Sequence, residues 1–461
     1  MHEHAGGAHH RPDDVLGVPR HLPGTRPGPA GTGGLRLPAA LNPTWNGAQV
    51  NIAGPWISVV IPTYNRADLL RGTLEALTAQ RMPAGTVEVI VADDGSSDDT
   101  RDVVQTFARR LRLRYHFQPD RGFRAAAARN RGAQLASAPV LVFADSGILP
   151  GPDFLSSHLE AHATGPAAVI GYTFGYRPGD PTPGLAAALR TTPVAEVVRR
   201  YGDAATFHDI RHRAFERFAF DLDRTIVPWQ WFWSLNCSVP ADAFRAVGGF
   251  DENFRSWGGE DLELGFRLFR HGLRFQINQD AWAVDVPHPR SADADQASNL
   301  TNLMTFLQRH PEPVVELLFG WFAREQPGFQ INHQWNVEDE YRALNAATIE
   351  ARRRSVVDEL DHEAAILGDA TRVAVLGCGP QIPHRLADAA LFDFDPQVVD
   401  ALAGRGHRVG HAVGLRTLLP DKAVDLVIVT SRLSGPCERW HREIHAEAHR
   451  IGRTVRTHTP G

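Results

Sequence analysis

Residues 56–80, WISVVIPTYNRADLLRGTLEALTAQ, decide the fold class. Ile57 to Ile61 make a short, β-branched, almost wholly apolar run, the composition of a strand covered on both faces. Pro62 and Asn65 break it. Leu69, Leu70, Leu74 and Leu77 then recur at helical spacing. The scheme repeats in VEVIVADDGSSDDT (87–100): a buried strand, an acidic turn, then a helix through Val103, Val104 and Phe107. LRYHF and PVLVFADS supply further strands, with the helical RAAAARNRGAQLA between them. Buried strands alternating with helices predict an α/β domain on a mostly parallel sheet. Ligands of such sheets bind beyond the carboxyl ends of the strands, so the turns after the strands are where chemistry is sought.

Away from this core the chain changes character. Residues 1–54 are rich in Gly, Pro, Arg and His, with few large apolar residues, and cannot bury enough surface to offset chain entropy. They are expected to be a disordered arm. VPWQWFWSLNCSVP (227–240) reads as an aromatic, strand-like stretch, and residues 296–365 read as helices. TRVAVLGCGPQ, LFDFDPQ and DLVIVT then begin a second βα pattern. The chain has 461 residues, 43% of them hydrophobic, enough for two or three globular units. Its net charge of −5 exerts no global pull toward nucleic acid or an anionic membrane. The three cysteines, Cys237, Cys378 and Cys437, show neither zinc spacing nor a disulfide framework. With no apolar run of membrane-spanning length and no secretory leader pattern, a cytoplasmic location is expected, with no transmembrane segment and no nucleic-acid partner.

Several turns carry candidate chemistry. The first strand ends in Pro62, Thr63, Tyr64 and Asn65, and the second in Asp93 and Asp94. A carboxylate there accepts from a base N–H, and an aromatic beside it stacks. Asp, Gly and Ser are also ordinary turn residues, so the weight lies in two adjacent strands ending alike. DRGFRAAAARNRG offers Arg121, Arg124, Arg129 and Arg131, of which about one is expected to clamp a diphosphate. VLVFADSGILP ends in Asp145, a carboxylate able to hold a divalent cation. His288 lies between prolines in DVPHPR. WGGEDLELGFRLF (257–269) sets Glu260 and Asp261 before an apolar stripe of Leu262, Phe266 and Phe269. Acidic residues there also serve as ordinary helix caps. Trp229, Trp231, Phe232 and Trp233 suit an acceptor cleft or the core equally. His158 and His162, spaced i, i+4, are expected to be ordinary helix residues.

Taken in order, SVVIPTYNR, VIVADDGSSDDT, GFRAAAARNRGAQLA, LVFADSG, the 236–272 block and VPHPR closely resemble family 2 glycosyltransferases of the GT-A fold. The WGGED segment resembles the galactosyltransferase and chondroitin-polymerase branch. The resemblance implies an α/β, GT-A nucleotide-diphospho-sugar transferase domain with a mostly parallel sheet. It implies inverting transfer from a UDP-sugar to a carbohydrate, peptide or natural-product acceptor. Pro62, Tyr64 and Asp94 correspond to uridine-binding positions, Arg124 to a basic position near the diphosphate, and Asp145 to the first acid of the DxD motif. Asp261 corresponds to the catalytic base, with Glu260 its neighbour. Held ionised by the helix dipole, Asp261 would accept the acceptor proton. Trp257 would pack on a sugar, and Gly258–Gly259 would let the loop close. His288 corresponds to a histidine completing a metal site with Asp145, for Mn2+ or Mg2+. The second DxD acid is replaced by Gly147, which points to a loosely held ion.

The expected organisation is an arm over 1–54, a GT-A domain over 55–295, a helical connector over 296–365 and a small Rossmann-like domain over 366–461. The last resembles a methyltransferase with a degenerate fingerprint, in which Gly377 and Gly379 form the turn and Asp395 or Asp393 meets a ribose. Two other readings stay open. One is a bifunctional enzyme that also methylates with S-adenosylmethionine. The other, motivated by Gly147, is a non-catalytic sugar-nucleotide or carbohydrate-binding protein.

Overall fold

The computed structural model describes residues 54–177, 181–288, 292–324, 337–368 and 371–459. The expected arm, apart from Gly54, lies outside them. Eight strands form the first sheet: β1 (Ile57–Thr63), β2 (Val87–Asp93), β3 (Leu113–Phe117), β4 (Val140–Ala144), β5 (Ile148–Pro150), β6 (Ala167–Phe174), β7 (Asn236–Pro240) and β8 (Arg274–Asp285). Their order is β3-β2-β1-β4-β7-β6-β8-β5. Every residue of β1 is buried, because helices cover both faces of a parallel sheet. β1 pairs in parallel with β2 and β4, so Thr63, Asp93 and Ala144 end at one edge. Beyond β4 the sheet is mixed: β7 runs antiparallel to β4 and β6, and β5 antiparallel to β8.

Helix Ala67–Thr78 buries Leu70, Thr73, Leu74 and Leu77, one stripe along its length. Helix Ala125–Leu135 packs closely through its small residues: a Cβ on Gly132 would fall 2.5 Å from Val60 Cγ1. In helix Glu260–Arg270 the buried apolar residues are Leu262, Leu264, Phe266 and Leu268, and Phe269 is exposed. The expected stripe therefore fails at its last position, because the buried face turns toward Leu264 and Leu268. The aromatic stretch before β7 is not a strand. Pro228–Trp231 forms a 3-10 turn that buries Trp229 and Trp231, with Phe232 buried next to it. His158 and His162 are buried and hydrogen-bonded to Ser238 Oγ at 2.9 Å each, and His158 also reaches Asn236 Oδ1 at 2.9 Å. Burial pushes their pKa values down to about 4 and about 3. Both belong to a neutral polar network under the sheet rather than to an exposed helix face.

Helices Ala292–Arg309, Pro313–Ala323, Val337–Ala351 and Val357–Ala365 follow. The second sheet comprises β9 (Val373–Leu376), β10 (Ala390–Asp393), β11 (Val409–His411), β12 (Val424–Val429) and β13 (Gly452–Thr457). It is parallel throughout, in the order β11-β10-β9-β12-β13. Two buried glutamates tie the connector to its neighbours. Glu338 accepts from the N–H groups of Ile226 and Val227 at 3.0 and 3.1 Å. Glu316 accepts from the N–H groups of Val413, Gly414, Leu415 and Arg416 at 2.6, 2.9, 2.5 and 2.8 Å. Burial pushes the Glu316 pKa up to about 7 against the pull of these four donors. Glu316→Ala would leave all four N–H groups without their acceptor. It is expected to cost about 3–5 kcal/mol in denaturant unfolding, with faster amide exchange confined first to 413–416. Unchanged stability would remove the clamp from the account of how the units dock.

Candidate active site

A cavity of about 730 Å³ opens at the carboxyl edge of β1, β2 and β4. Pro62, Tyr64, Asp94, Asp145, Trp257, Glu260 and Asp261 all line it, so the sequence brings seven expected residues to one wall system. Thr63, Arg66, Asp120, Arg129, Tyr176, Trp233, Asp295 and Asn299 line it as well. Of the aromatic run, only Trp233 faces this space.

At the end of the cavity beside β1 and β2, Asp93 and Asp94 divide the work. Asp93 accepts from Gly95 N at 3.0 Å, Ser96 N at 2.8 Å and Tyr115 Oη at 2.6 Å, and so shapes the turn. Asp94 faces the cavity and accepts from Arg124 N at 2.7 Å and Gln118 Nε2 at 2.6 Å. Tyr64 is exposed and donates to Asp120 Oδ2 at 2.8 Å. Arg124 does not line the cavity: its guanidinium pairs with Asp94 Oδ1 at 3.0 Å. Arg121 and Arg131 are exposed. The arginine inside is Arg129, on the inner face of its helix. It donates from Nη2 to Asp145 Oδ1 at 2.8 Å and from Nη1 to Glu260 Oε1 at 3.0 Å. Burial works against its charge, but Asp145 and Glu260 outweigh it and raise its pKa.

The DxD turn is rebuilt, not simply shortened. Gly147 has φ +112°, and a Cβ there would sit 3.5 Å from Leu69 Cδ1. A side chain at 147 would thus leave an apolar neighbour facing it and strain the backbone. Gly147 O accepts from Val286 N at 2.9 Å, two residues before His288. His288 therefore follows directly from the strand that flanks the Asp145 turn, although it is not among the cavity-lining residues. Its Nδ1 lies 3.1 Å from Val286 O.

Glu260 and Asp261 begin their helix as expected, but two features of the entrance differ. Gly258 and Gly259 have φ +94° and +85°, and a Cβ on Gly258 would meet Asn299 Oδ1 at 2.8 Å. Asn302 Nδ2 donates to Ser256 O at 2.9 Å and to Gly258 O at 2.6 Å. In this structure the glycines let two left-handed residues pack against helix Ala292–Arg309, and the loop is held. Asp261 accepts from Ser234 N at 3.1 Å and from Leu262 N at 2.8 Å. Burial, with the neighbouring Glu260 charge, pushes its pKa up to about 7 despite those donors and Arg129. The dipole therefore does not win here. The Oε2 of Glu260 is buried without a hydrogen-bond partner.

Sequence reasoning singled out Arg124 where Arg129 enters the cavity. Position 129 lies three residues after Ala126 and four before Ala133, both buried, and that small-residue spacing marks an inward face. Asp295 and Asn299 were missed because no motif marks them: Asp295 ends the expected GT-A domain and Asn299 falls in the expected connector.

Among the described residues, no group of three or more His, Cys, Asp or Glu is gathered as a metal site, and no helix is long and apolar enough to cross a membrane. In the second sheet, Asp395 is closed by Arg352, whose Nε and Nη2 each donate at 2.9 Å. Asp393 is taken by Gly379 N at 2.8 Å and Arg432 Nε at 3.0 Å. Neither carboxylate is open to a ribose, so these residues do not fit S-adenosylmethionine, and no methylation step follows from them.

Comparison with known proteins adds to this geometry. The profile described as "Glycosyl transferase family 2" matches residues 58–221, and "N-terminal domain of galactosyltransferase" matches 216–288. Validoxylamine A glucosyltransferase of Streptomyces hygroscopicus subsp. jinggangensis (strain 5008) is 43% identical over 414 residues, spanning 87% of this chain and 96% of that protein. That span exceeds what residues before the second sheet can supply, so the similarity reaches the C-terminal unit. Hyaluronan synthase of Pasteurella multocida is 31% identical over 256 residues, 53% of this chain and 26% of that one. Among solved structures, S. aureus TarS 1-349 in complex with UDP-GlcNAc shares 15% identity at TM-score 0.41, over 64% of this chain and 80% of that one.

Proposed function

The chain belongs to glycosyltransferase family 2 and is a sugar-transferring enzyme, and from that premise we propose that it moves a glucosyl unit from UDP-glucose to a hydroxyl of a small natural-product acceptor like validoxylamine A, with inversion. The observation that carries this reading is the Asp261 carboxyl, with pKa about 7, in the same cavity as Asp94, Asp145 and the Pro62–Tyr64 turn. Pro62, Tyr64 and Asp94 hold the uridine. Asp261 takes the hydroxyl proton as the acceptor oxygen attacks the anomeric carbon and the UDP oxygen leaves. A base with pKa near the working pH combines a large ionised fraction with real basicity. Glu260 keeps that pKa high, and Arg129 fixes Glu260 relative to Asp145. Trp233, Tyr176 and Trp257 give the acceptor sugar-stacking surfaces. The 43% identity to a glucosyltransferase favours glucose over other hexoses. The same relation to a curated enzyme argues against a non-catalytic binding protein.

The lining supports a divalent cation. Among the lining residues, Asp94, Asp120, Asp145, Glu260, Asp261 and Asp295 outnumber Arg66 and Arg129, and Arg124 pairs with Asp94 from outside the cavity. That excess of carboxylate opposes an anionic diphosphate and suits a hard cation such as Mn2+ or Mg2+. Asp145 and His288 would hold it, the remaining positions falling to donor oxygens and water. When bound, the ion would neutralise charge developing on the diphosphate.

The test is a matrix of UDP-glucose, UDP-galactose, UDP-GlcNAc and UDP-GalNAc with validoxylamine A as acceptor, with the product's anomeric configuration read by NMR. Transfer of glucose with an inverted centre is expected. A retained configuration, or no preference for glucose, would overturn the respective part of the proposal. EDTA is expected to reduce turnover at least about a hundredfold, as loss of diphosphate charge neutralisation should, with Mn2+ restoring it. Asp145→Asn is expected to raise the metal concentration needed for half-maximal rate. Full activity in EDTA would rule the ion out.

A further inference from the structure

A second cavity, of about 470 Å³, lies over the parallel sheet at the carboxyl ends of β9, β10 and β12. Pro380 and Gln381 follow β9, Asp395 and Gln397 follow β10, and Arg432 follows β12. In the order β11-β10-β9-β12-β13 the chain reverses its direction of travel across the sheet between β9 and β12. Crevices at such reversals are where open α/β sheets bind ligands. The fourth wall is Arg352, Arg353 and Arg354, which directly follow helix Val337–Ala351.

Cations after a helix end have an ordinary explanation, since they complement its carbonyl groups. That explanation does not cover Arg432, from another element and 1% exposed, nor the single open cavity that all four line. The charge balance inside is specific. Asp395 and Asp393 absorb Arg352 and Arg432. Arg354 meets only neutral oxygens, Ser431 O at 2.6 Å and Ser434 Oγ at 2.5 Å. Arg353 is 76% exposed and donates from Nη1 to both oxygens of a similarly open Glu350, at 3.4 and 3.3 Å. Arg354 therefore has no carboxylate partner, and Arg353 is held only by a solvent-screened surface pair. Val356, Val398 and Pro380 give it an apolar side.

We propose that this cavity binds the phosphate monoester of a small molecule, with Arg353 and Arg354 on the phosphate and Arg352 and Arg432 held in place by Asp395 and Asp393. A monoester carries a charge near −1.5 to −2 at neutral pH, which suits Arg354 together with the weakly paired Arg353. Arginine suits it because its planar fork donates bidentately to phosphate oxygens. The same charge balance repels the sulfonium of S-adenosylmethionine. The acids that would meet a ribose in a nucleotide-cofactor site instead anchor cations here.

The test uses the full chain with saturating UDP and Mn2+, so that the first cavity is filled. Isothermal titration is run with inorganic phosphate, glucose 6-phosphate, AMP and S-adenosylmethionine. One saturable site per chain is expected for glucose 6-phosphate or AMP, tighter than for inorganic phosphate, and none for S-adenosylmethionine. The preferred monoester distinguishes a sugar phosphate from a nucleotide. Arg353→Glu is expected to weaken binding at least tenfold with an unchanged unfolding midpoint, since its side chain makes only the Glu350 contact. Arg354→Lys should weaken it several-fold. No saturable binding of any phosphate probe, equal affinity in Arg353→Glu, or binding of S-adenosylmethionine would overturn the proposal. Because glucosyl transfer is assayed separately, its outcome does not depend on this one.

Discussion

Asp261→Asn is expected to lower kcat by about 10²–10⁴-fold, the range for a lost positioned base, while UDP binding stays within a few-fold. The amide keeps the shape and the Leu262 N–H contact but has no basic lone pair for the acceptor proton. In the parent enzyme the base must be ionised. With its pKa near 7, activity should fall as pH drops below 7, tenfold per unit once well below it. That acid limb should vanish from the residual activity of the variant. Stability should move the other way. Asp261 ionises near 3.8 when unfolded and near 7 when folded, so the native state holds the proton more tightly. Its contribution is fully present below pH 3.8 and is lost as pH rises through 7. An asparagine never ionises and escapes that loss. Asp261→Asn should be more stable than the parent at pH 8, by up to about 4 kcal/mol from the lost ionisation cost less about 1–3 kcal/mol for the Ser234 N–H contact an amide gives up, with the gap closing toward pH 4. A variant less stable at pH 8, or one retaining normal turnover, would remove Asp261 from the role of buried base.

The same residue shows how far a sequence speaks. That Glu260 and Asp261 open a helix was legible from spacing alone, because Leu262 and Phe266 set its period. The raised pKa of Asp261 was not, since the burial that governs it comes from distant segments. Ser234 precedes β7, and Asn299 and Asn302 sit on helix Ala292–Arg309. β1 and β4 were legible because a strand buried on both faces is apolar throughout, whereas β3, LRYHF, is only partly buried and was legible from its place in the alternating pattern. The Trp229–Trp233 stretch misled for the converse reason. A segment enclosed on all sides carries no period, so its aromatics suit a strand or a 3-10 turn equally. Gly147 was visible as a missing acid. The sequence did not show that position 147 has a left-handed backbone and that its missing Cβ would face Leu69. At the second sheet the glycines and acids of the fingerprint were readable. Their pairing with Arg352 and Arg432 depends on a helix and a strand that are adjacent only in space.

Arg129 carries the other large expected effect, because it is the buried link between Asp145 and Glu260 across the cavity. It is 4% exposed, lies 5.4 Å from the Phe250 ring, and bonds Asp145 and Glu260 at once. Arg129→Met fills similar volume but leaves those two carboxylates, and the nearby Asp261, without a cation. Breaking such a buried pair costs about 3–5 kcal/mol, which should appear as a large drop in unfolding free energy at pH 8. Protonating the stranded acids would relieve part of it, so the deficit should shrink as pH falls toward 5. Arg129 is also one of the groups that hold the Asp261 pKa down. Its removal should therefore move the acid limb of kcat above pH 7, a displacement that a purely structural defect would not produce. Adding Glu260→Gln to Arg129→Met removes one of the orphaned charges. The double variant should recover part of the stability and bring the acid limb back toward lower pH. Were Arg129→Met to unfold like the parent and keep its pH profile, the two ends of the cavity would be independent, and Asp145 and Glu260 would each need another partner.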